Sequence, residues 1–191
     1  MMKLTGTETE KNLLKSFAGE SQARNRYTFF ASTAKKEGYE QISAIFLETA
    51  DNEKEHAWVF FKHLEGGKVE ITAMYPAGKI GKTEDNLLAA AEGEKEEWGK
   101  LYPEFEQVAR NEGFKAVADS FKEIAEVEQQ HEKRYRTLLD SLRRGALFKK
   151  DKVVTWKCRN CGYVHDGKEA PESCPACKHP RAYYELLAEN Y

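Results

Sequence analysis

The segment Phe46-Leu47-Glu48-Thr49-Ala50-Asp51-Asn52-Glu53-Lys54-Glu55-His56 recurs 75 residues later as Phe121-Lys122-Glu123-Ile124-Ala125-Glu126-Val127-Glu128-Gln129-Gln130-His131, each copy closing on a Glu-x-x-His pair. Around the first pair, Ile42, Phe46, Thr49, Glu53, His56, Phe60 and Leu64 are spaced by three or four residues, the period of one helix face. Val117, Phe121, Ile124, Glu128, His131, Tyr135 and Leu138 repeat the pattern. Both carboxylates and both imidazoles therefore lie in stripes that face the core of a helical bundle. A lone ionised carboxylate in such a place meets a solvation penalty on the order of tens of kcal/mol, so it is neutralised, paired or bound to metal. Two of them, each with a histidine one turn on, point to metal.

The repeat extends beyond these helices. Ala34, Glu37, Gly38 and Tyr39 match Ala109, Glu112, Gly113 and Phe114, Tyr27 matches Tyr102, and Phe30 matches Phe105. Glu20 and Glu94 are 74 apart, which demands a slip of one residue. Leu13, Phe17, Glu20, Tyr27 and Ala31 share a stripe, as do Leu87, Ala90, Glu94, Glu97, Leu101 and Phe105. Each half is thus a helical hairpin, with helices predicted near residues 8–35, 40–64, 84–111 and 114–143 and tight turns at Gly38 and Gly113. Five carboxylates and two imidazoles reach one level of the core. Glu97 has no twin, since either offset leads to Gln22 or Ala23. Residues 65–83, with Gly66, Gly67, Pro76, Gly78 and Gly81, form a long crossover, and a four-helix bundle with one long crossover has ferritin-like topology. Met74 and Tyr75 in this crossover are expected to pack on the bundle. Pro103 removes a helical bond to the Gly99 carbonyl and should bend the third helix just after Glu94 and Glu97.

Composition sets the outer bounds. The 191 residues, 40% hydrophobic and 32% charged, suffice for one bundle, residues 1–147, and a small second domain, residues 153–191, joined by a basic connection at Lys149–Lys152. A net charge of −2 with interspersed signs gives no footprint for nucleic acid. No run of 18 apolar residues occurs, so no membrane span is expected, and the polar stretch Met1–Phe17 lacks a secretory apolar core. The cytoplasm is the expected compartment, consistent with four cysteines grouped in residues 158–177 and none left for disulfides.

Cys158, Cys161, Cys174 and Cys177 form two C-x2-C pairs twelve residues apart. Four thiolates make a tetrahedral site for zinc or for a single iron, and spacing alone, familiar from zinc ribbons, does not choose. The local text Cys158-Arg-Asn-Cys161-Gly162-Tyr163 and Cys174-Pro175-Ala176-Cys177 resembles the two knuckles of rubredoxin, although the interval between them is shorter than in free-standing rubredoxins. A metal also answers a size problem, because domains below about 40 residues rarely fold on an apolar core alone. His63 is expected to cap a helix end, and His165 and His179 to lie at the surface of the small domain.

Taken together, Glu20, Asn52 to His56, Glu94 with Glu97, Glu128 to His131 and the four-cysteine pattern resemble the rubrerythrin family over essentially the whole chain. The resemblance implies an enzyme, a non-haem di-iron peroxidase that reduces hydrogen peroxide and protects against oxidative stress, with electrons relayed through a rubredoxin-type iron. It implies Glu53 and Glu128 as bridging carboxylates, Glu20 and Glu94 as terminal ones, and His131 as the nitrogen ligand of one iron. His56 and Glu97 would be alternative ligands of the other, exchanged on oxidation. Tyr27 and Tyr102 would hydrogen-bond the carboxylates. External donors such as a rubredoxin and an NAD(P)H-dependent reductase are implied as partners. The short connection suggests a head-to-tail homodimer in which each small domain serves its neighbour's di-iron site. Two other functions compete: iron handling by a ferroxidase of the ferritin-like class, and a structural zinc ribbon that recruits a partner.

Overall fold

The computed structural model describes residues 3–190. Helix α1 (Glu8–Lys36) starts at Thr7, whose hydroxyl accepts the Glu10 amide, carries Glu8 and Glu10 in its first turn, and ends on Lys35 and Lys36. Helix α2 is Glu40–Lys62. The turn between them is closed by amides of Glu37, Gly38 and Tyr39 bonding to carbonyls of Thr33, Lys35 and Ala34, with Gly38 at φ +84°. In the second half Glu112, Gly113 and Phe114 bond to Val108, Arg110 and Ala109, with Gly113 at φ +80°. Glycine sits at both places because the left-handed conformation costs it nothing. The duplicated turns also lock the halves together. Glu112 accepts the amides of Glu8 and Thr9 at the start of α1, while Glu37 accepts the Thr83 amide at the start of the third helix. Each turn glutamate thus caps the first helix of the other half.

The third helix is where the structure departs most from expectation. The helical run predicted near 84–111 is continuous from Thr83 to Asn111, but its winding changes: α3 (Thr83–Glu96), a π-helical turn at Glu97–Leu101, and α4 (Tyr102–Asn111). Pro103 has no amide to continue an α-helical ladder, and the Tyr102 amide bonds instead to the Glu97 carbonyl five residues back. This turn holds one residue more than the matching stretch of α1. It accounts for the slip by which Glu20 and Glu94 differ by 74 while Tyr27 and Tyr102 differ by 75. It also corrects the predicted stripe: beyond Glu94 the buried positions are Tyr102 and Ala109, and Leu101 and Phe105 are only partly buried. Helix α5 (Lys115–Arg143) completes the bundle, with Leu139 fully buried and Leu138 half-buried.

The core has two apolar layers. One groups Tyr27, Phe30, Phe46 and Tyr135, the other Phe60, Tyr102 and Phe121. Between them lies a polar level. The crossover, residues 63–82, contains no helix or strand. Tyr75 does rest on α1, but Met74 is 98% exposed, contrary to the expectation that both pack.

The small domain is a three-stranded antiparallel sheet of order β2-β1-β3, with β1 Lys149–Cys158, β2 Val164–Glu169 and β3 Tyr184–Leu186. Lys149–Lys152 is therefore no free connection but the start of β1, where Lys149 pairs with Glu169. The domain rests on the turn end of its own first hairpin. The Phe148 ring stacks on Tyr39 at 6.5 Å, and a Cβ at Gly38 would lie 3.7 Å from Ala182. Among the described residues no helix is long and apolar enough to cross a membrane.

Candidate metal centres

Four helices bring Glu20, Glu53, His56, Glu94, Glu128 and His131 to the polar level, and all six are buried. They form two sets that share Glu53 and Glu128: Glu20, Glu53, His56 and Glu128 on one side, Glu53, Glu94, Glu128 and His131 on the other. Within each set no two donor atoms are more than 4.8 Å apart. The histidine rings lie 5.9 Å apart.

The contacts show that these groups do not simply satisfy one another. His56 Nδ1 is 2.9 Å from Glu53 and 2.8 Å from Glu128; His131 Nδ1 is 2.7 Å from Glu128 and 3.3 Å from Glu53. Those are hydrogen-bond lengths without hydrogen-bond alignment. Both Nδ1 atoms and all four oxygens of Glu53 and Glu128 lack a hydrogen-bond partner, as do Glu20 Oε2 and Glu94 Oε2. A buried polar group without a partner costs about 1–3 kcal/mol, and more when charged, so eight together are untenable unless a third body accepts their lone pairs. Two cations do so. The donor set, oxygen-rich with one imidazole per side, is that of the di-iron carboxylate bundles.

With protein groups alone, the level is strained electrostatically. Burial raises the Glu20 carboxyl well above the usual range, with Glu128 and Glu97 adding to it, and burial and Glu53 push Glu94 up to about 8. Burial opposes charge on the imidazoles, yet the facing Glu128 and Glu53 carboxylates push His56 up to about 10 and His131 up to about 12. The oxygens left over are held by tyrosines from the opposite half. Tyr27 Oη donates to Glu94 Oε1 at 2.5 Å, and Tyr102 Oη donates to Glu20 Oε1. Burial and the neighbouring carboxylate, Glu94 for Tyr27 and Glu20 for Tyr102, raise both phenols, which keeps them protonated as donors.

Glu97 stands apart from both ligand sets. It opens the π-helical turn, half-buried, its carboxyl pushed up by burial and by Glu94. Its charge is nonetheless felt by the others: Glu97 adds to the rise of the Glu20 carboxyl, and Glu128 and Glu53 add to its own. Trp98, which the sequence did not single out, anchors this turn by donating its Nε1–H to Glu132 at 2.7 Å, and Glu132 also takes Arg136. An indole next to Glu97 carried no periodic signal because the π turn breaks the period. His63 ends α2, with Nε2 2.9 Å from the Ser120 hydroxyl.

In the small domain the sulfurs of Cys158 and Cys177 are 3.7 Å apart and those of Cys161 and Cys174 3.6 Å. Neither is a disulfide, and all four cysteines are free. A tetrahedron with metal–sulfur bonds of about 2.3 Å has edges of about 3.8 Å, so the thiolates fit one ion. Each knuckle closes alike, with the Gly162 amide on the Cys158 carbonyl and the Lys178 amide on the Cys174 carbonyl, both residues at positive φ. With protein groups alone the thiols split: the backbone amide of His179 leads in drawing Cys177 down to about 6, while Cys161, although the Tyr163 amide lowers it, is pushed up to about 12 by the neighbouring sulfurs of Cys177 and Cys174.

A ferritin-like bundle with paired carboxylate and imidazole donors, continuous with a four-thiolate rubredoxin-like module, defines a class of non-haem di-iron oxidoreductases. Residues 11–139 match the rubrerythrin family model and residues 156–185 the rubrerythrin rubredoxin-like domain. The chain belongs to the rubrerythrin family. It is 58% identical to rubrerythrin of Porphyromonas gingivalis over 98% of this chain and 94% of that protein, and 52% identical to rubrerythrin of Nitratidesulfovibrio vulgaris over the full length of both. Among solved structures, the fully reduced, all-ferrous state of nigerythrin is similar with a TM-score of 0.64 at 30% identity, covering 97% of this chain and 89% of that one. A Desulfovibrio desulfuricans bacterioferritin, 22% identical with a TM-score of 0.62 over 73% of this chain and 82% of that one, shares the bundle fold.

Proposed function

We propose that the protein is a peroxidase that reduces hydrogen peroxide to two waters, taking up two electrons and two protons. The observation that carries this reading is the joining, in one chain, of a buried two-cation donor set to a four-thiolate one-electron module. When bound, an iron pair supplies two electrons to the O–O bond, and the thiolate-held iron returns them singly. Glu53 and Glu128, shared by both sets, are assigned as bridges, Glu20 and Glu94 as terminal ligands, and His131 as the nitrogen ligand of one cation. His56 and Glu97 are assigned as alternative ligands of the other. Tyr27 and Tyr102 orient the terminal carboxylates by their hydrogen bonds.

Mixing anaerobically reduced protein with one equivalent of peroxide per iron pair tests the reading. Ferrous iron should be lost within seconds, and iron that stays ferrous would overturn it. A many-subunit shell with a mineral core would instead favour iron storage, a role in which an electron-delivering module has no use. A red ferric–thiolate spectrum is expected of the small domain; a colourless zinc site would sink the relay.

External reductants, a rubredoxin and an NAD(P)H-dependent reductase, are the proposed donors, and the cytoplasm, whose reducing poise suits four free cysteines, is the proposed compartment. The proposed assembly is a head-to-tail homodimer. It is supported by Phe29, Leu47, Trp58 and Phe61, large and exposed on the outer face of α1 and α2, which a second copy of this chain would cover.

A further inference from the structure

A cavity of about 310 Å3 lies between α1 and the π-helical turn. Its inner wall includes Glu97 and Tyr102, the latter bonded to the ligand-set residue Glu20, so it borders the metal level directly. Gly19 and Gly93, one residue before Glu20 and Glu94, also line it. Glycine inside a helix is costly relative to alanine, and at both positions a Cβ would come only into ordinary van der Waals contact with the cavity's other walls. A Cβ at Gly19 would lie 3.6 Å from the Tyr75 ring, and one at Gly93 would lie 3.5 Å from Arg26 Nη2. Arg26 Nε is buried in the wall without a hydrogen-bond partner, leaving a donor for an oxygen-bearing guest. The roof is Thr72–Pro76 of the crossover. One latch holds it: the Tyr75 hydroxyl donates to the Lys15 carbonyl at 2.8 Å, the only hydrogen bond tying residues 66–80 to the bundle among the described residues.

We propose that this cavity is the port by which the oxidant reaches the metal level, and that Tyr75 is a specificity-determining residue that limits the size of hydroperoxide admitted. The inference rests on the peroxidase reading. At roughly 30 Å3 per water the cavity has room for about ten, far more than hydrogen peroxide needs, so its walls do not exclude larger hydroperoxides. The roof does, and a roof on one hydrogen bond opens often enough for a two-oxygen substrate while slowing a bulky one. The rival route is the open dish between α2 and α5, bordered by Asn52, Val127, Gln130 and Arg134, where the His131 ring stands between solvent and the carboxylates.

The test uses reduced, iron-loaded wild-type, Tyr75→Phe and Tyr75→Ala protein with hydrogen peroxide and with cumene hydroperoxide, each of which takes up two electrons from the reduced protein and two protons as its O–O bond breaks, giving two waters or water plus the tertiary alcohol. Losing the latch in Tyr75→Phe should raise the cumene-to-hydrogen-peroxide rate ratio up to about fivefold, and removing the ring in Tyr75→Ala by about tenfold or more. A second readout needs no turnover: the rate at which a bulky ferrous chelator strips iron from the reduced protein should rise in the same order. An unchanged ratio with an unchanged stripping rate in Tyr75→Ala overturns the port and hands access to the dish over His131. If hydrogen peroxide oxidises none of the three proteins, the peroxidase reading falls, and the stripping rates still decide whether Tyr75 closes the cavity.

Discussion

Tyr27 and Tyr102 reach across the bundle, each donating a hydrogen bond to the carboxylate contributed by the other half. A terminal carboxylate has two oxygens, and the phenol occupies one so that the other is aimed at the cation level. Replacing Tyr102 by Phe leaves the ring packed between Phe60 and Phe121 but strands Glu20 Oε1 in the core. Loss of such an outer hydrogen bond typically weakens metal binding by about 10–100-fold. Chelator competition on Tyr102→Phe should show this, with secondary structure unchanged by circular dichroism. The same residues make the iron-free protein sensitive to pH. Glu94, at about 8 in the fold against an ordinary 4.5, contributes stability that is complete below 4.5 and lost as pH rises through 8. His56, at about 10 against 6.5, contributes stability complete below 6.5 and lost as pH rises through 10. The signs agree, and Glu128, held below its ordinary value by His131 and His56 although burial opposes it, acts only in more acid solution. Urea midpoints of iron-free protein should therefore fall from pH 5 to pH 9, and a flat or rising profile would contradict the assigned electrostatics. Loading iron should remove most of that slope, because the cations then satisfy the carboxylates.

Among the elements, the four helices were legible because three- and four-residue spacing survives whatever the loops do, and the ligand positions rode on the same spacing. The π-helical turn was not legible as such. Its only trace was a conflict between an offset of 74 at Glu94 and one of 75 at Tyr102, and a single inserted residue adds no unusual composition. Reading straight through it placed Leu101 and Phe105 fully on the core stripe, whereas the structure leaves both only partly buried and lines the cavity with them and Glu97; the Tyr27 repeat, not the period, is what pointed to Tyr102. β1 was obscured for a different reason: Lys149, Lys150, Asp151 and Lys152 read as a linker because the start of that strand faces solvent and carries no alternation of buried apolar residues. Arg26 and Tyr75 were hidden because their roles depend on which loop lies over which helix. Deleting Gly99 should convert the π turn to α-helix, since residues on either side already sit in register with α5. The protein should keep its helical content and a urea midpoint no lower than wild type, while Glu97 turns out of the cavity. A collapse of the fold would show that the extra residue serves packing instead of the site.

For the molecule as a whole, the small domain and the metal level are kept apart by the length of α2. The domain rests on Tyr39 and Gly38, whereas Glu53 lies thirteen residues along the helix, about 20 Å away at 1.5 Å per residue. The start of the small domain is pinned as well, because only five residues, 144–148, separate the end of α5 at Arg143 from the start of β1 at Lys149. No slack remains for the thiolate site to swing down its own bundle. An antiparallel second copy, seated on the aromatic face of α1 and α2, would bring its own small domain toward the far end, near the metal level. Mixed dimers separate the two routes. One subunit with Cys161→Ser and Cys177→Ser retains a bundle without a relay, and the other with Glu53→Ala and Glu128→Ala retains a relay without a bundle site. If electrons cross between subunits, the heterodimer should keep about half the turnover of wild type while each doubly substituted homodimer is nearly inactive. If they run within one chain, the heterodimer should be as inactive as its parents. Replacing Trp58 and Phe61 by Lys and Glu adds the structural check, since it should dissociate the pair in sedimentation and stop steady-state turnover with an external donor. Single-turnover oxidation of the pre-reduced bundle by peroxide, which needs no relay, should continue.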